Sequence, residues 1–430
     1  MKKEDNLLFI GDLTTAGNYG AIATSENLKK MIEGKYKNIE YIDYRSFRMP
    51  TPVGGWSEHS PLQEKNKIIK KIKKYSMQRC EMLLPEFLKK AYEKIVQKDS
   101  PHHPNIPCLF KEYDKYAKKI ISGDILQYEY KMIRWSDIVY INGEGNIVHG
   151  TDKYGKYRFG ALYILFLAYF SKKYMKKHCV IANHTVDPGN NDAIEIIKKV
   201  YPLMDDIFVR ERFSKNKLNS WGIKKVKIVP DALFSFEPKE GWSPPDRLKK
   251  EINFNKPYIC LGGGSGLRSR ANVVKWDVYS IYSKLIDKLR RIVPQIIFVD
   301  GYNGRHCDIN RVIQYNDLGK VNLNNCSYRE LFQVLKRSKL FISGRYHNSI
   351  LSSMGGTPIL LFGSDSYKTE GLNDLLDYNY GNFDINELPL HLDDVVQEAK
   401  MILKNEKKIR KELLDKTKDL KEKAYENIDF

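Results

Sequence analysis

An arginine and a histidine lie two positions apart in SGRYHNSILSSMGG, residues 343–356. The preceding apolar run KLFIS predicts a strand, Ser343 and Gly344 a turn, and Arg345 and His347 the start of a helix. Backbone N–H groups at a helix N-terminus attract anions, a guanidinium binds phosphate or carboxylate, and imidazole adds proton transfer. The segment therefore predicts a site for a small, multiply charged anion. The alternative is that Arg345 pairs with a carboxylate across a cleft and His347 only packs.

A glutamate between two glycines marks a second segment, INGEGNIVHG, residues 141–150. Its Glu144 follows a predicted strand, where packing offers little reason for a carboxylate. General-base chemistry is one interpretation and a solvated turn glutamate is the other. Asn142 and His149 belong to the same loop. The next predicted strand leads into ANHTVDP, whose His184 either reaches the same rim or packs with its hydrogen bonds satisfied.

Two arginines and an aspartate follow later strands of the first half. VRERFS places Arg210 and Arg212 at the start of a helix, with Ser214 as a candidate cap, and we expect one of the arginines at the surface. PDALF places Asp231 toward the side that faces the second half. Capping of a helix N-terminus is the ordinary explanation for an aspartate there.

A glycine-rich loop, GGGSGLRSR at residues 262–270, follows the first strand of the second half. Its N–H groups and two arginines suit an anionic or sugar ligand, with Gly263, Gly264 and Ser265 nearest the strand. The loop has neither the Lys-Ser/Thr ending of a P-loop nor the G-x-G-x-x-G spacing. Nucleoside triphosphate hydrolysis is therefore not supported.

The loop after the first strand, TTAGNYGAIATSENL at residues 14–28, is rich in small residues and opens a helix. Gly17 and Gly20 would let a ligand approach the backbone closely. An ordinary tight turn between a strand and a helix explains the same residues.

Apolar runs alternate with segments of helical period along the chain, which is typical of parallel sheets with helices on both faces. Ser327 and Glu330 predict a capping box, and Gly222 predicts a helix end. Because ligands of such sheets bind beyond the carboxyl ends of the strands, we expect the polar loops to meet there. The predicted strands are 6–12, 38–44, 137–142, 178–184, 206–210, 226–230, 258–263, 295–300, 339–343 and 357–362.

The pattern predicts two Rossmann-like, doubly wound α/β domains. We expect the first domain at 1–235 and the second at 256–395, joined by the Pro- and charge-rich stretch 236–257. Residues 46–135 are predicted to form a helical insertion in the first domain. Residues 396–430 predict a C-terminal helix that packs back across the domains.

The composition fits a cytoplasmic α/β protein of 430 residues, 42% of them hydrophobic. Six scattered cysteines without a C-x-x-C pair indicate a reducing compartment, and the longest apolar run, 161–170, is about half the length of a membrane-spanning helix. The net charge of +19 has three interpretations: a lysine-rich surface, an anionic substrate, or an anionic membrane face. Lysine and arginine cluster at residues 65–74, 111–119 and 404–424. Nucleic acid is not expected as a partner, because no nucleic-acid-binding motif accompanies these clusters.

SGRYHNSILSSMGGTPILL resembles the S-x-R-x-H-x-x-I-x-x-x-x-x-G-x-P block of the polysaccharide pyruvyl transferase family. NYGAIATSENL, INGEGNIVHG and VRERFSKNKLNSWGIKKVKIVPDALF resemble its N-x-G, N-G-E-G and P-D blocks in the same order. GSDSYKTEGL resembles a later region in which a lysine precedes a glycine. The insertion and the C-terminal stretch lie outside the resemblance. Where the first block can have an acidic residue after its glycine, this chain has Ala21, so its acceptor chemistry can differ.

The resemblance implies a GT-B-like fold and a cytoplasmic enzyme. The basic insertion and the basic C-terminal stretch add, as a separate hypothesis, a peripheral contact with the inner face of the membrane. It implies transfer of a pyruvyl group from phosphoenolpyruvate to two hydroxyls of a sugar or lipid-linked oligosaccharide, giving a ketal of a surface-polysaccharide precursor. Arg210 and Arg345 match its phosphoenolpyruvate-binding arginines, and His347 matches its motif histidine.

Ketal formation requires protonation of the donor's methylene carbon and removal of a proton from the attacking hydroxyl, so we expect His347 to act as acid and Glu144 as base, without a cofactor or a metal ion. The second domain is the predicted donor side and the first the acceptor side. The predicted donor ligands are Arg210, Gly263, Gly264, Ser265, Ser343, Arg345 and Lys368. The predicted acceptor ligands are Asn18, Tyr19, Gly20, Asn142, His149 and His184.

Two other functions fit the same sequence. A GT-B glycosyltransferase with a nucleotide-sugar donor would share the fold, the cleft and the glycine-rich loops. A non-catalytic scaffold for anionic glycans or membranes would explain the basic charge. The choice of donor separates the two enzymes, and insensitivity to changes at His347 would indicate the scaffold.

Overall fold

Two parallel six-stranded sheets form the framework of the computed structural model, which describes residues 2–43, 105–148, 159–267, 274–301, 307–364 and 366–430. The first sheet contains β1 (Lys3–Asp12), β2 (Tyr36–Asp43), β3 (Ile138–Asn142), β4 (His178–His184), β5 (Asp206–Val209) and β6 (Lys227–Ile228). The second contains β7 (Tyr258–Gly264), β8 (Gln295–Val299), β9 (Gly319–Val321), β10 (Phe341–Gly344), β11 (Ile359–Phe362) and β12 (Asn382–Phe383).

The strand orders are those of doubly wound sheets. The first sheet runs β2-β1-β3-β4-β5-β6, and the second runs β12-β11-β10-β7-β8-β9. Started from β9, the second order is the 3-2-1-4-5-6 order of a Rossmann sheet. The predicted fold class, two Rossmann-like domains, is confirmed.

Ten of the strands in the described ranges were predicted, and β9 and β12 were missed. These two strands contain three residues and two residues and form the two edges of the second sheet. A segment that short has little apolar pattern of its own, and the two-residue β6 was predicted only because Val226 and Val229 extend the apolar run around it. Strand β1 begins earlier than predicted, because its polar first residues pair with β2 while exposed to solvent.

Helices cover both faces of the sheets. They are α1 (Tyr19–Lys35), α2 (Tyr113–Ile121), α3 (Gln127–Trp135), α4 (Phe159–Lys173), α5 (Asn191–Val200), α6 (Arg212–Ser220), α7 (Asp246–Lys249), α8 (Val278–Arg290), α9 (Cys307–Tyr315), α10 (Tyr328–Arg337), α11 (Tyr346–Met354), α12 (Lys368–Leu376), α13 (Leu392–Lys404) and α14 (Glu406–Ala424). The apolar helix α4 is buried along almost its whole length. Among the described helices, none combines the length and apolarity needed to cross a membrane.

Two predicted helix ends are confirmed and one cap is wrong. Ser327 and Glu330 form the capping box of α10, and Gly222 follows α6 with a φ of +84°. The cap of α6 is Glu211 rather than Ser214, since the Glu211 carboxylate accepts a hydrogen bond from the Ser214 N–H at 2.7 Å. Ser214 lies inside the first turn and is the residue being capped.

Part of the predicted insertion lies within the described residues and is helical. Helices α2 and α3 bury Tyr113, Ala117, Ile120 and Ile133 in the same apolar cluster as α4. These helices therefore belong to the core of the first domain. Residues 46–104 of the predicted insertion, including the basic run at 65–74, lie outside the described residues.

The C-terminal residues contact both domains. Helix α13 packs on α8 of the second domain, whereas the turn after α14 reaches the first sheet. There the Tyr140 hydroxyl donates to the Asn427 carbonyl at 3.0 Å, and Asn427 Nδ2 donates to the Pro230 carbonyl at 2.9 Å. The Phe430 ring stacks on Tyr36. The end of the chain thus ties the second domain to the first.

Direct contacts also join the domains beside the carboxyl ends of the strands. The Tyr19 hydroxyl of α1 donates to the Cys326 carbonyl at 3.1 Å, and the Tyr328 hydroxyl of α10 donates to Glu26 at 2.9 Å. A Cβ added at Gly371 would lie 2.7 Å from the Cβ of Glu211. Glycine at 371 therefore allows α12 to approach the loop between β5 and α6.

Candidate active site

The loop between β10 and α11 faces the loops after β1, β3, β5 and β6 across the space between the domains. Arg345 precedes α11 as its N-cap residue, so His347 lies in the first turn of that helix, as the sequence predicted. Glu144 follows β3 and Arg210 directly follows β5. Carboxyl ends of parallel strands from two sheets thus bring the polar loops to one cleft.

His347 Nε2 is the meeting point of three charged groups. It lies 3.3 Å from Arg210 Nη1, 3.4 Å from Asp231 Oδ2 and 3.5 Å from Glu144 Oε1. The histidine belongs to the second domain, whereas the other three belong to the first. The cluster is therefore complete only when the two domains are in contact.

Arg210 is the buried cation of this cluster. Its side chain is 1% exposed, and its Nη1 donates to Asp231 Oδ2 at 2.7 Å while Nη2 donates to Thr185 at 3.0 Å. The guanidinium also lies 4.7 Å from the centre of the Tyr346 ring. Arg210 neutralises Asp231 and does not line the cleft, so this arrangement does not support the predicted direct contact with an anion. Arg212 is the surface residue of the pair.

Asp231 is fully buried and held on both carboxylate oxygens. Oδ1 accepts from the Thr24 hydroxyl at 2.7 Å and from the Leu233 N–H at 2.9 Å, and Oδ2 accepts from Arg210. Burial by itself raises the pKa of Asp231, but His347 and Arg210 outweigh it and hold the pKa well below its usual range. Asp231 is thus a carboxylate of fixed orientation.

A buried amide supports the same carboxylate from behind. Asn183 Nδ2 donates to the Thr24 hydroxyl at 3.0 Å, and its Oδ1 accepts from the Ala232 N–H at 2.9 Å. Asn183 has a φ of +58°, a region in which asparagine is among the tolerated residues. Asn142 joins this network through its Oδ1, 3.3 Å from Asn183 Nδ2.

A cavity of about 200 Å³ lies above the cluster, between the domains. Its positively charged side chains, Arg345 and Lys368, come from the second domain, and Glu144 comes from the first. His347 lies between them. The other lining residues are Leu13, Ala16, Asn18, Gly20, Ala21, Gly145, Asn146, Val148, Ser265, Gly301, Gly344, Tyr346 and Asn348.

Three of the predicted donor ligands, Ser265, Arg345 and Lys368, line this cavity, and three others lie behind it. Ser343 is buried; its hydroxyl donates to the Gly263 carbonyl at 2.8 Å and accepts from the Arg345 N–H at 3.1 Å. A Cβ at Gly264 would lie 3.0 Å from the Gly344 Cα. Ser343, Gly263 and Gly264 therefore set the close packing of β7 and β10 that positions Arg345.

The predicted acceptor ligands are divided in the same way. Asn18 and Gly20 line the cavity, and Asn18 also caps α1 by accepting from the Ala21 N–H at 2.8 Å. Tyr19 is buried at the domain contact, and Asn142 is buried in the amide network. His149 lies outside the described residues.

His184 is fully buried and does not line the cavity. Its Nε2 lies 2.8 Å from the Tyr201 hydroxyl, and a Cβ at Gly143 would lie 2.8 Å from its own Cβ. Burial, with a smaller contribution from the Arg210 charge, lowers the pKa of His184 to about 3. This geometry matches the packed histidine and gives no direct contact with an acceptor.

The described residues contain no group of three or more His, Cys, Asp and Glu side chains arranged to hold a metal ion.

The polysaccharide pyruvyl transferase family model matches residues 18–366. The chain belongs to the polysaccharide pyruvyl transferase family. The match begins at Asn18 and includes Glu144, Asp231 and His347, so the residues that meet in the cleft belong to the family region. Membership in this family makes the chain a transferase. None of the curated proteins matches the sequence.

The fold of this pyruvyl transferase family member is also found in solved GT-B structures. Sucrose-phosphate synthase from Thermosynechococcus elongatus has a TM-score of 0.51 at 12% identity, covering 97% of this chain and 95% of that one. The UDP-GlcNAc 2-epimerase from Neisseria meningitidis bound to UDP-GlcNAc has a TM-score of 0.50 at 10% identity, covering 98% of this chain and 99% of that one. The UDP complex of MnaA from S. aureus has a TM-score of 0.53 at 12% identity, covering 96% of this chain and 91% of that one. At such identities the likeness shows the fold alone.

Sequence reasoning missed Asp231 as a member of the cluster. Its capping role is confirmed, since its side chain caps the turn Ala232–Ser235. Its position in the P-D ending of the third family block was a signal in the sequence that could have singled it out. Nothing local to PDALF indicates that His347 lies 3.4 Å away.

Gly20 provides the space for His347 and yields a testable prediction. A Cβ at Gly20 would lie 2.5 Å from His347 Cγ and closer still to Nδ1. We expect Gly20→Ala to displace the imidazole, with a cost of about 1–3 kcal/mol in unfolding free energy and a large loss of turnover. Urea unfolding and a turnover assay measure the two effects.

Gly34 of the same helix is the matched control. A Cβ at Gly34 has no neighbour within 4 Å, so Gly34→Ala is expected to keep activity and to gain up to about 1 kcal/mol in stability. Wild-type turnover in Gly20→Ala would show that the position of the imidazole has no effect on catalysis.

Proposed function

We propose that this chain transfers a pyruvyl group from phosphoenolpyruvate to two hydroxyls of a sugar in a surface-polysaccharide precursor, which forms a cyclic ketal. The observation that carries the proposal is the pairing of His347 Nε2 with Glu144 Oε1 at 3.5 Å, on the wall of a cavity that also presents two cations. An acid and a base beside an anion site are what this transfer requires.

The cation arrangement supports an anionic donor. Phosphoenolpyruvate carries a phosphate and a carboxylate on three carbons. Arg345 and Lys368 belong to two different helix N-termini, where backbone N–H groups also favour negative charge. Because both cations lie on the second-domain side, the donor is proposed to bind there and the acceptor to approach from the first domain.

The proton transfers can be assigned to the paired residues. The His347 imidazolium protonates the methylene carbon of the donor, and the first sugar hydroxyl attacks C2 and gives its proton to Glu144. The bond from C2 to the phosphate oxygen then breaks, and the second hydroxyl closes the ring while its proton leaves with the phosphate. The proton on Glu144 returns to His347 over 3.5 Å and restores both groups.

The test is an incubation with phosphoenolpyruvate and a panel of lipid-linked sugars. The proposal requires phosphate release together with an acceptor mass gain of one pyruvyl unit less water. Phosphate release without acceptor modification, or no consumption of phosphoenolpyruvate with every acceptor, would contradict it. A reaction with nucleotide sugars would instead establish the alternative GT-B glycosyltransferase, which shares the fold with the UDP-bound neighbours. Thermal-shift titration with both kinds of donor gives an independent comparison.

Arg345 provides a prediction about donor binding. Arg345→Ala is expected to weaken phosphoenolpyruvate binding roughly 10- to 100-fold, because it removes a charge-assisted hydrogen bond from a partly desolvated anion. Arg345→Lys should restore little of the donor affinity, since an ammonium group cannot reproduce the two parallel hydrogen bonds of a planar guanidinium. Isothermal titration calorimetry measures both affinities.

Arg212 is the control for this prediction. It is exposed and pairs with Asp374 outside the cavity lining, so Arg212→Ala is expected to leave donor affinity unchanged. Unchanged affinity in Arg345→Ala would remove Arg345 from the donor site.

A peripheral contact with an anionic membrane is a further proposal, because lipid-linked acceptors lie there. Several lysines close to such a surface, each contributing about 1 kcal/mol, would give reversible docking. Liposome co-sedimentation that is absent at low salt, or that high salt does not weaken, would contradict electrostatic docking.

A further inference from the structure

We propose that Asp231 is a positioning residue that fixes the orientation and the charge of His347, and that Thr24 holds Asp231 in place for this purpose. The inference rests on the proposed function, in which His347 is the proton donor. It assigns different tasks to the two carboxylates near the imidazole.

The two carboxylates differ in access and in fixation. Glu144 lines the cavity and can meet a substrate hydroxyl, whereas the Asp231 side chain is 0% exposed and does not line it. Three hydrogen bonds, from Thr24, Leu233 and Arg210, fix the carboxylate of Asp231. Asp231 can therefore act on a substrate only through His347.

The charges around the imidazole determine the effect of Asp231. Glu144, Arg210 and Asp231 face Nε2 within 3.5 Å, whereas the backbone of α1 at Gly20 lies against Nδ1. On its own helix, His347 follows Tyr346, and the centroids of the two rings are 5.0 Å apart. Arg345 lies two positions before His347, and both Arg345 and Lys368 line the same cavity.

At Nε2 itself, two carboxylates and one guanidinium sum to one negative charge. Arg345 and Lys368 add positive charge on the cavity side. The Asp231 carboxylate, 3.4 Å from Nε2, is one of the two neighbouring carboxylates that favour a proton on His347, so its removal is expected to disfavour the imidazolium.

The contacts that hold Asp231 lie within the first domain, and only its contact with His347 crosses the domain interface. Thr24 is a residue of α1 in the first domain, and its hydroxyl is itself held by Asn183. Loss of the Thr24 hydroxyl would leave Asp231 charged but remove one of the bonds that prevent its rotation. Thr24→Val thus perturbs the orientation of Asp231 without removing a charge.

The experiment is a ¹⁵N-histidine NMR titration of the full chain without substrate. Asp231→Asn is expected to move the His347 titration midpoint to lower pH by about 1–3 units. The same variant should lower kcat near neutral pH and shift the pH-rate profile in the same direction, while the affinity for phosphoenolpyruvate is retained. A purely structural role would not shift a titration midpoint.

Thr24→Val keeps the test decisive if Asp231→Asn fails to fold. It is expected to lower kcat and to move the midpoint in the same direction by a smaller amount. Thr417→Val is the matched control, because the buried Thr417 hydroxyl donates to the Leu413 carbonyl of its own helix. Wild-type kcat and an unshifted midpoint in Thr24→Val would overturn the proposal, as would a fall in donor affinity parallel to kcat.

Failure of this inference can be distinguished from failure of the proposed function. The titration uses no donor, so a shifted midpoint supports the positioning role of Asp231 even if phosphoenolpyruvate is not the donor. An unshifted midpoint in an enzyme that does form the ketal overturns the inference and leaves the proposed function standing.

Discussion

Replacing His347 with asparagine is expected to lower the single-turnover rate by about 10²–10⁴-fold while phosphoenolpyruvate binding is retained. Asparagine keeps a polar side chain in the space next to Gly20 but cannot donate a proton to carbon. The cations that would bind the donor, Arg345 and Lys368, remain in the cavity wall. Loss of rate without loss of affinity is therefore the result that separates an acid from a residue that only holds the donor.

The measurement is donor affinity by calorimetry and rate by rapid-quench single turnover on the same preparations of His347→Asn and His347→Ala. His391→Asn serves as the control, because His391 lies in the second domain and does not line the cavity. If binding and rate fall in parallel, His347 holds the donor and another group supplies the proton. A His347→Asn enzyme within about tenfold of the wild-type rate would end the acid assignment.

Removal of Arg210 is expected to destabilise the chain by about 3–5 kcal/mol, because it leaves Asp231 as a buried charge without its counterion. The 2.7 Å contact between the two side chains is fully buried, so solvent cannot replace the guanidinium. Arg210→Met is a suitable change because it keeps most of the volume. Urea denaturation followed by circular dichroism measures the loss.

The double variant Arg210→Met/Asp231→Asn distinguishes a charge effect from a packing effect. Since both charges are removed together, we expect it to recover much of the stability but little of the turnover. Arg212→Met, at the exposed neighbouring arginine, should cost no more than about 1 kcal/mol. If Arg210→Met keeps wild-type stability but loses donor affinity, Arg210 binds the donor directly, as the family resemblance implied.

The sequence by itself determined the fold class and the local setting of the main functional residues. Alternating apolar runs predicted ten strands, because a strand buried on both faces must be apolar along its length. The segment after β10 predicted that Arg345 and His347 lie at a helix start, since strand, turn and helix signals are local. Order and spacing of the family blocks carried the resemblance, and the match over residues 18–366 confirmed it.

Only the tertiary structure decided which groups meet. The side chains around His347 Nε2 come from three loops of the other domain, and their approach depends on strand order and on how two domains pack. The same packing buried Arg210, so that a residue expected at an anion became the counterion of Asp231. It also placed the Gly20 backbone against the imidazole. The local sequence pattern determines on which strand, turn or helix a side chain lies. Its charge partners and its access to solvent depend on distances between segments far apart in sequence, which only the folded chain sets.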